Sequence, residues 1–135
     1  MGYEFEVSDV IPGTPDAIYR AWMSSDGHTA MTGAPARVDP RVDGEFEAWD
    51  GYITGRTLAL DPNRSIVQTW RTSEFGESDA DSRVEVLLEP AGERTRVTIR
   101  HSNVPDGHLG YEHGGWQENY FDPMREYFAR GAPEP

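Results

Sequence analysis

Four histidines are the natural suspects for acid–base chemistry in this chain. His101 ends the stretch "TRVTIRH" in phase with Val97 and Ile99, so its ring is expected on the apolar side of a strand. A neutral imidazole there can bond a ligand or act as a base; it can equally be a core-edge histidine satisfied by backbone or by a tyrosine. His108 and His113 stand five residues apart in the glycine-bearing "SNVPDGHLGYEHGG". A metal would want a third ligand on a more regular carrier, so no metal site is expected. His28 falls on a short, weakly patterned helix and is expected to be exposed. Asp79 and Asp81 are paired carboxylates in an acidic loop with nothing apolar to raise a pKa. No nucleophile elbow, P-loop, His-Glu-x-x-His or dinucleotide fingerprint occurs. Cysteine is absent, which excludes disulfides, zinc–thiolate sites and thiol nucleophiles. No cofactor and no catalytic set is predicted.

The aromatic residues are the richer set. "GGWQENYFDPMREYFARG", residues 114 to 131, places Trp116, Tyr120, Phe121, Met124, Tyr127 and Phe128 within an arc of roughly 140° on a helical wheel. Glu118, Asp122, Arg125 and Glu126 fill the other side. This is an amphipathic helix, expected to bend near Pro123, which cannot donate to the Asn119 carbonyl. A space between helix and sheet would be lined by Phe46, Gln68, Trp70, His101, Trp116, Tyr120 and Met124. Each buried indole N–H or phenol O–H needs a partner, and Gln68 and Gln117 add donors to otherwise apolar faces. That argues for a partly wet cavity beside Trp116 and Tyr120, with Met124 and Phe128 packed as core. On this division Phe128→Ala costs about 3 to 5 kcal/mol and Tyr120→Ala clearly less.

The elements that must position these residues follow from periodicity. "YEFEVSDVI" alternates as a half-buried strand. Thr14 and Pro15 open a helix, "PDAIYRAWM", aligning Ile18, Ala21 and Trp22. "SSDGHTAMTG" is a second short helix ending near Gly33. A meander begins at residue 44, with Asp50-Gly51 as a two-residue hairpin signal and turns at "DPNR" and "PAGER". Ile66, Gln68 and Trp70 share one face, as do Val84, Val86 and Leu88. Trp49 is out of phase with Phe46 and Ala48, so an exposed position on the outer face is expected. An antiparallel sheet with one apolar face must be covered, and the last helix is the element large enough to cover it.

The 135 residues suit one domain, 1–135, and one core. The formal charge of −12 repels phosphate backbones, so no nucleic-acid binding is expected. Arg94, Arg96 and Arg100 do form a stripe on one strand face. No apolar run is long enough to span a membrane, and the start lacks a secretory pattern. A cytoplasmic location is the expectation.

The pieces "VIPGTPDAIYRAWMSS", "VDPRVDGEFEAWDGYITGRTLAL", "IVQTWRTSEF", "TRVTIRHSNVP" and "GGWQENYFDPMREYF", in this order, resemble the START-like helix-grip superfamily. Within it they are similar to the branch named after the activator of the heat-shock chaperone ATPase. The resemblance spans nearly the whole chain. It implies an α+β fold: a curved antiparallel sheet of about six or seven strands around a long C-terminal helix, with two short helices between strands 1 and 2. The two-domain co-chaperone that names the branch is matched only in its C-terminal domain. The function implied is non-catalytic binding of a small hydrophobic ligand or of a protein partner. Two alternatives stand: an enzyme on a polyketide-like molecule with His101 and a tyrosine as acid–base pair, and a co-chaperone that stimulates a chaperone ATPase.

Overall fold

A computed structural model describes residues 3–73, 75, 80–104 and 115–129. The chain runs β1 (Tyr3–Ile11), α1 (Pro15–Trp22), α2 (Ser25–Thr32), β2 (Arg37–Val38), β3 (Glu45–Ala48), β4 (Ile53–Asp61), β5 (Ser65–Thr72), β6 (Ser82–Ala91) and β7 (Arg94–Val104). A π-helical turn over Gln117–Phe121 then leads into α3 (Asp122–Ala129). The seven strands form one antiparallel sheet in the order β1-β7-β6-β5-β4-β3-β2. The sheet closes by bringing β1 beside β7, so the meander and the N-terminal strand share one apolar face.

Local chemistry sets the helix ends. Thr14 Oγ1 accepts the Ala17 N–H at 3.1 Å, and Ser24 Oγ accepts the Gly27 N–H at 3.1 Å. α2 stops at Gly33, whose φ of 82° is the left-handed conformation that glycine adopts without strain. The turn at Asp50-Gly51 is closed by the Tyr52 N–H donating to the Trp49 carbonyl, with positive φ at both central residues.

Register decides which residues meet. Thr57, Gln68, Val84, His101 and Phe5 form one row across β4, β5, β6, β7 and β1. Ile66, Val86, Ile99 and Val7 form the next. Period-two patterning puts both rows on the face covered by α1, α2 and the closing helix. The first row carries the polar groups into the core, directly beneath the aromatic stripe.

Three placements differ from the sequence expectations. His28 is not exposed but 1% accessible, since α2 lies inward against the closing helix. Trp49 is half-buried and packs on the core, because its positive φ turns the side chain back from the outer face. Phe128 is only half-buried, whereas Trp116 and Tyr120 are 3% and 2% accessible. Of the pair expected as packed core, Met124 is fully buried and Phe128 is not, so burial falls off only at the last turn of the closing helix. Its N-terminal part lies over the middle of the sheet, and its end lies near Gly13 at the rim.

The interruption expected near Pro123 takes the form of a change in hydrogen bonding. The Asp122 N–H donates to the Gln117 carbonyl, five residues back, before α pairing resumes. A π turn leaves room for the proline ring and its missing donor.

Candidate functional site

Beneath the closing helix the aromatic rings form a continuous cluster centred on Trp70. Its ring centroid lies 5.0 Å from Trp116, 5.5 Å from Phe46, 6.0 Å from Tyr120 and 6.4 Å from Trp22. Offset and tilted geometries at these distances add to the burial of large apolar surfaces. Of the residues expected to line a space, Phe46, Gln68, Trp70, His101, Trp116 and Tyr120 are brought together here. Met124 is fully buried one helical turn beyond Tyr120 and belongs to the same apolar core.

Most polar tips of this cluster are satisfied by other side chains and by backbone, while the buried indole N–H of the neighbouring Trp49 has no hydrogen-bond partner among the described residues. The Trp116 indole donates to His101 Nδ1 at 3.2 Å, and His101 Nε2 lies 2.8 Å from Ser82 Oγ. An indole only donates, so Nδ1 is the acceptor and the proton sits on Nε2. Nε2–H then donates to Ser82, whose hydroxyl donates onward to the Trp70 carbonyl. The row neighbour Gln68 accepts the Trp22 indole N–H at 3.0 Å and donates to Thr57 Oγ1 at 3.2 Å.

The residues missed in the sequence complete a third chain of bonds. His28 Nδ1 lies 3.0 Å from the Trp22 carbonyl, which can only accept, so Nδ1 carries the proton. The free lone pair on Nε2 accepts the Tyr120 hydroxyl at 2.9 Å. The two histidines therefore hold opposite tautomers, each set by a neighbour with a fixed role. Nothing in the weak apolar pattern of α2 signals His28; the cue would have been a tyrosine donor opposite it, known only once the helices are packed.

Burial sets the ionisation. Desolvation lowers His101 to about 3 and His28 to about 4, and pushes the Tyr120 phenol up. At neutral pH both imidazoles are uncharged and the phenol is protonated. The tyrosine that pairs with a histidine meets His28, not His101. His101 Nε2 faces Ser82 with its proton, so it does not stand as a base toward that hydroxyl. Among the described residues no group of three metal-ligating side chains converges, and His108 and His113 lie outside them. Asp79 is also outside; Asp81 pairs with Arg71 at 3.1 Å. The arginine stripe on β7 is exposed, and Arg100 is held by Glu6 at 3.0 Å and Glu85 at 3.8 Å. No helix among the described residues is long and apolar enough to cross a membrane.

A family model for "Activator of Hsp90 ATPase homolog 1-like protein" matches residues 12–129. The chain belongs to this family. It is 27% identical over 119 residues to the human activator of 90 kDa heat shock protein ATPase homolog 1, covering 88% of this chain and 35% of that protein. An uncharacterized protein of Schizosaccharomyces pombe is 28% identical over 115 residues, with 85% and 34% covered. The chain thus spans about a third of the length of these relatives. Among solved structures, an HSP90 activator from Plasmodium falciparum superposes with a TM-score of 0.83 at 24% identity, covering 98% of this chain and 99% of that one. CalU16 from Micromonospora echinospora gives 0.76 at 20% identity, with 95% and 77% covered. Both likenesses establish the helix-grip fold of this family member.

Proposed function

We propose that this family member works by binding rather than by catalysis, and that its partner is a protein: a chaperone of the 90 kDa heat-shock class, whose ATPase it modulates. One observation carries the choice of a protein over a reaction. The polar tips of Trp22, Gln68, His28, Tyr120, His101 and Trp116 beneath the closing helix are engaged with one another, which turns the reading to the outer surfaces as the working parts. The names of the human and Plasmodium relatives supply the class of partner. The proposal treats residues 1–135 as one domain acting in the cytoplasm, without nucleic acid.

The test is capture of the purified chaperone by this chain, followed by its ATPase rate with and without the chain. Saturable capture with a changed rate supports the proposal. Neither binding nor a rate change at tens of micromolar would sink it.

A second reading is a small hydrophobic ligand held among Phe46, Gln68, Trp70, His101, Trp116, Tyr120 and Met124. What favours it is the amide, imidazole and phenol set inside an aromatic cluster, a pattern suited to an apolar molecule with one or two polar atoms. A native mass spectrum of protein purified from its own host tests it. A stoichiometric adduct supports the ligand; bare protein removes it.

A further inference from the structure

One buried donor beside the aromatic cluster, the Trp49 indole N–H, has no partner among the described residues. A buried N–H left unbonded is destabilising and calls for an explanation. The same residue is held in the left-handed region, with a φ of 53°, which a bulky side chain rarely adopts. Its neighbours impose that shape. The Asp50 N–H donates to the Pro35 carbonyl at 2.9 Å, and the Tyr52 N–H donates to the Trp49 carbonyl at 3.1 Å. Two unfavourable features on one residue, both enforced by the surrounding fold, point to a group kept ready for a contact.

The Trp49 N–H lies beside the Tyr120 phenol. Burial pushes the phenol up, and the Trp49 N–H works the other way by favouring the charged oxygen, although the pair stops short of a hydrogen bond. The Tyr120 proton is committed to His28 Nε2 at 2.9 Å, so the phenol oxygen has only lone pairs left to offer. An atom seated between the two groups must accept from the nitrogen and donate to the oxygen. A hydroxyl does both. A ketone only accepts, and to be held by both groups it would have to take the proton on which His28 depends. The surroundings are apolar, with the Trp22 and Trp116 rings each 5.1 Å from that of Tyr120. The way in runs along Trp49 itself, which is half-buried where Trp22, Trp70, Trp116 and Tyr120 are nearly inaccessible.

We propose that Trp49 and Tyr120 form a binding site for the hydroxyl group of an apolar alcohol, with the Trp49 N–H donating to its oxygen and Tyr120 Oη accepting its proton in a hydrogen bond. The pinned turn at residue 49 holds the indole in place before the ligand arrives, so little ordering is left for binding to do. This inference rests on the reading that the aromatic cluster takes a small hydrophobic ligand, and it adds the class of ligand and the donor that selects it.

The test titrates the isotope-labelled full chain with cyclohexanol and with cyclohexanone, which match in size and ring. The Trp49 indole resonance is assigned by its loss in Trp49→Phe, a variant that keeps a ring and removes the donor. Cyclohexanol should move that resonance downfield and bind about three- to tenfold more tightly than cyclohexanone. In Trp49→Phe the preference should fall to about one. Equal affinity for the two probes in the wild type, or a preference that survives in Trp49→Phe, would overturn the site. So would a long-lived water on the indole N–H that saturating cyclohexanol does not displace. Neither probe binding also overturns it, and native mass spectrometry of the host protein then separates the two ideas. A host-derived adduct leaves the ligand reading standing without the hydroxyl site; bare protein removes both.

Discussion

The two ends of the closing helix carry the same kinds of side chain and meet different fates. Trp116 and Tyr120 are nearly inaccessible, and their polar tips are bonded to His101 and His28. Tyr127 and Phe128, two turns later, are half-buried and stack edge to face on each other at 5.0 Å between centroids. Phe128 also rests on Gly13, where an added Cβ would lie 2.9 Å from its ring. A stripe of aromatic residues on a wheel says which face turns inward. It does not say how far along the helix the core extends. The interior end is the one that holds buried, bonded polar atoms, because there β7 supplies His101 and α2 supplies His28 as partners.

The largest effect expected from this contrast is the cost of truncating the interior end. Tyr120→Ala should lower stability by about 3 to 5 kcal/mol, since it opens a cavity among four rings and strands His28 Nε2. Urea unfolding monitored by far-ultraviolet circular dichroism measures it. A cost no greater than that of Phe128→Ala would erase the distinction between the two ends.

Next in size is the dependence on pH. His28 and His101 have folded values near 4 and 3, below their ordinary value of 6.5, so the unfolded chain binds more protons between these limits. Stability is therefore full above about pH 6.5 and is lost as pH falls toward the folded values, by a few kcal/mol (order of magnitude) across the window. Urea midpoints from pH 7 to pH 4 should show the slope. Removing one buried imidazole, as in His28→Gln, should flatten it; an unchanged slope would mean that His28 titrates in solvent.

A smaller loss is expected from Tyr120→Phe, about 1 to 3 kcal/mol, because the ring stays and only the hydroxyl that His28 accepts is removed. The double variant with His28→Gln should cost less than the sum of the two singles, since the two groups are one bond. Strict additivity would show that the pair does not interact. Smallest is Phe128→Ala, about 1 to 2 kcal/mol for a half-buried ring at the rim. A loss above that of Tyr120→Phe would restore the C-terminal end as the firmer part of the core.

Much of the frame was legible. The alternation of Ile66, Gln68 and Trp70, of Val84, Val86 and Leu88, and of Val97, Ile99 and His101 placed these residues on one face, as the structure finds them. The turn at Asp50-Gly51 and the caps at Thr14 and Gly33 also stand where local chemistry puts them. Trp49 was not legible, because a positive φ at a bulky residue has no signature in sequence. His28 was not legible either. One imidazole on a helix of mixed polarity looks the same facing water as facing a phenol, and Tyr120 lies 92 residues further along the chain.

Periodicity, turns and caps are short-range properties: they depend on residues a few positions apart and on backbone sterics. The chain therefore determined by itself its elements, their inward faces and the helix-grip order. Partnership between distant polar groups is different in kind. Whether Trp116 finds His101, Tyr120 finds His28 and Gln68 finds Trp22 depends on strand register and on how α2 and the closing helix dock, to within the reach of a hydrogen bond. Those distances are products of packing, and packing is decided by the whole fold at once.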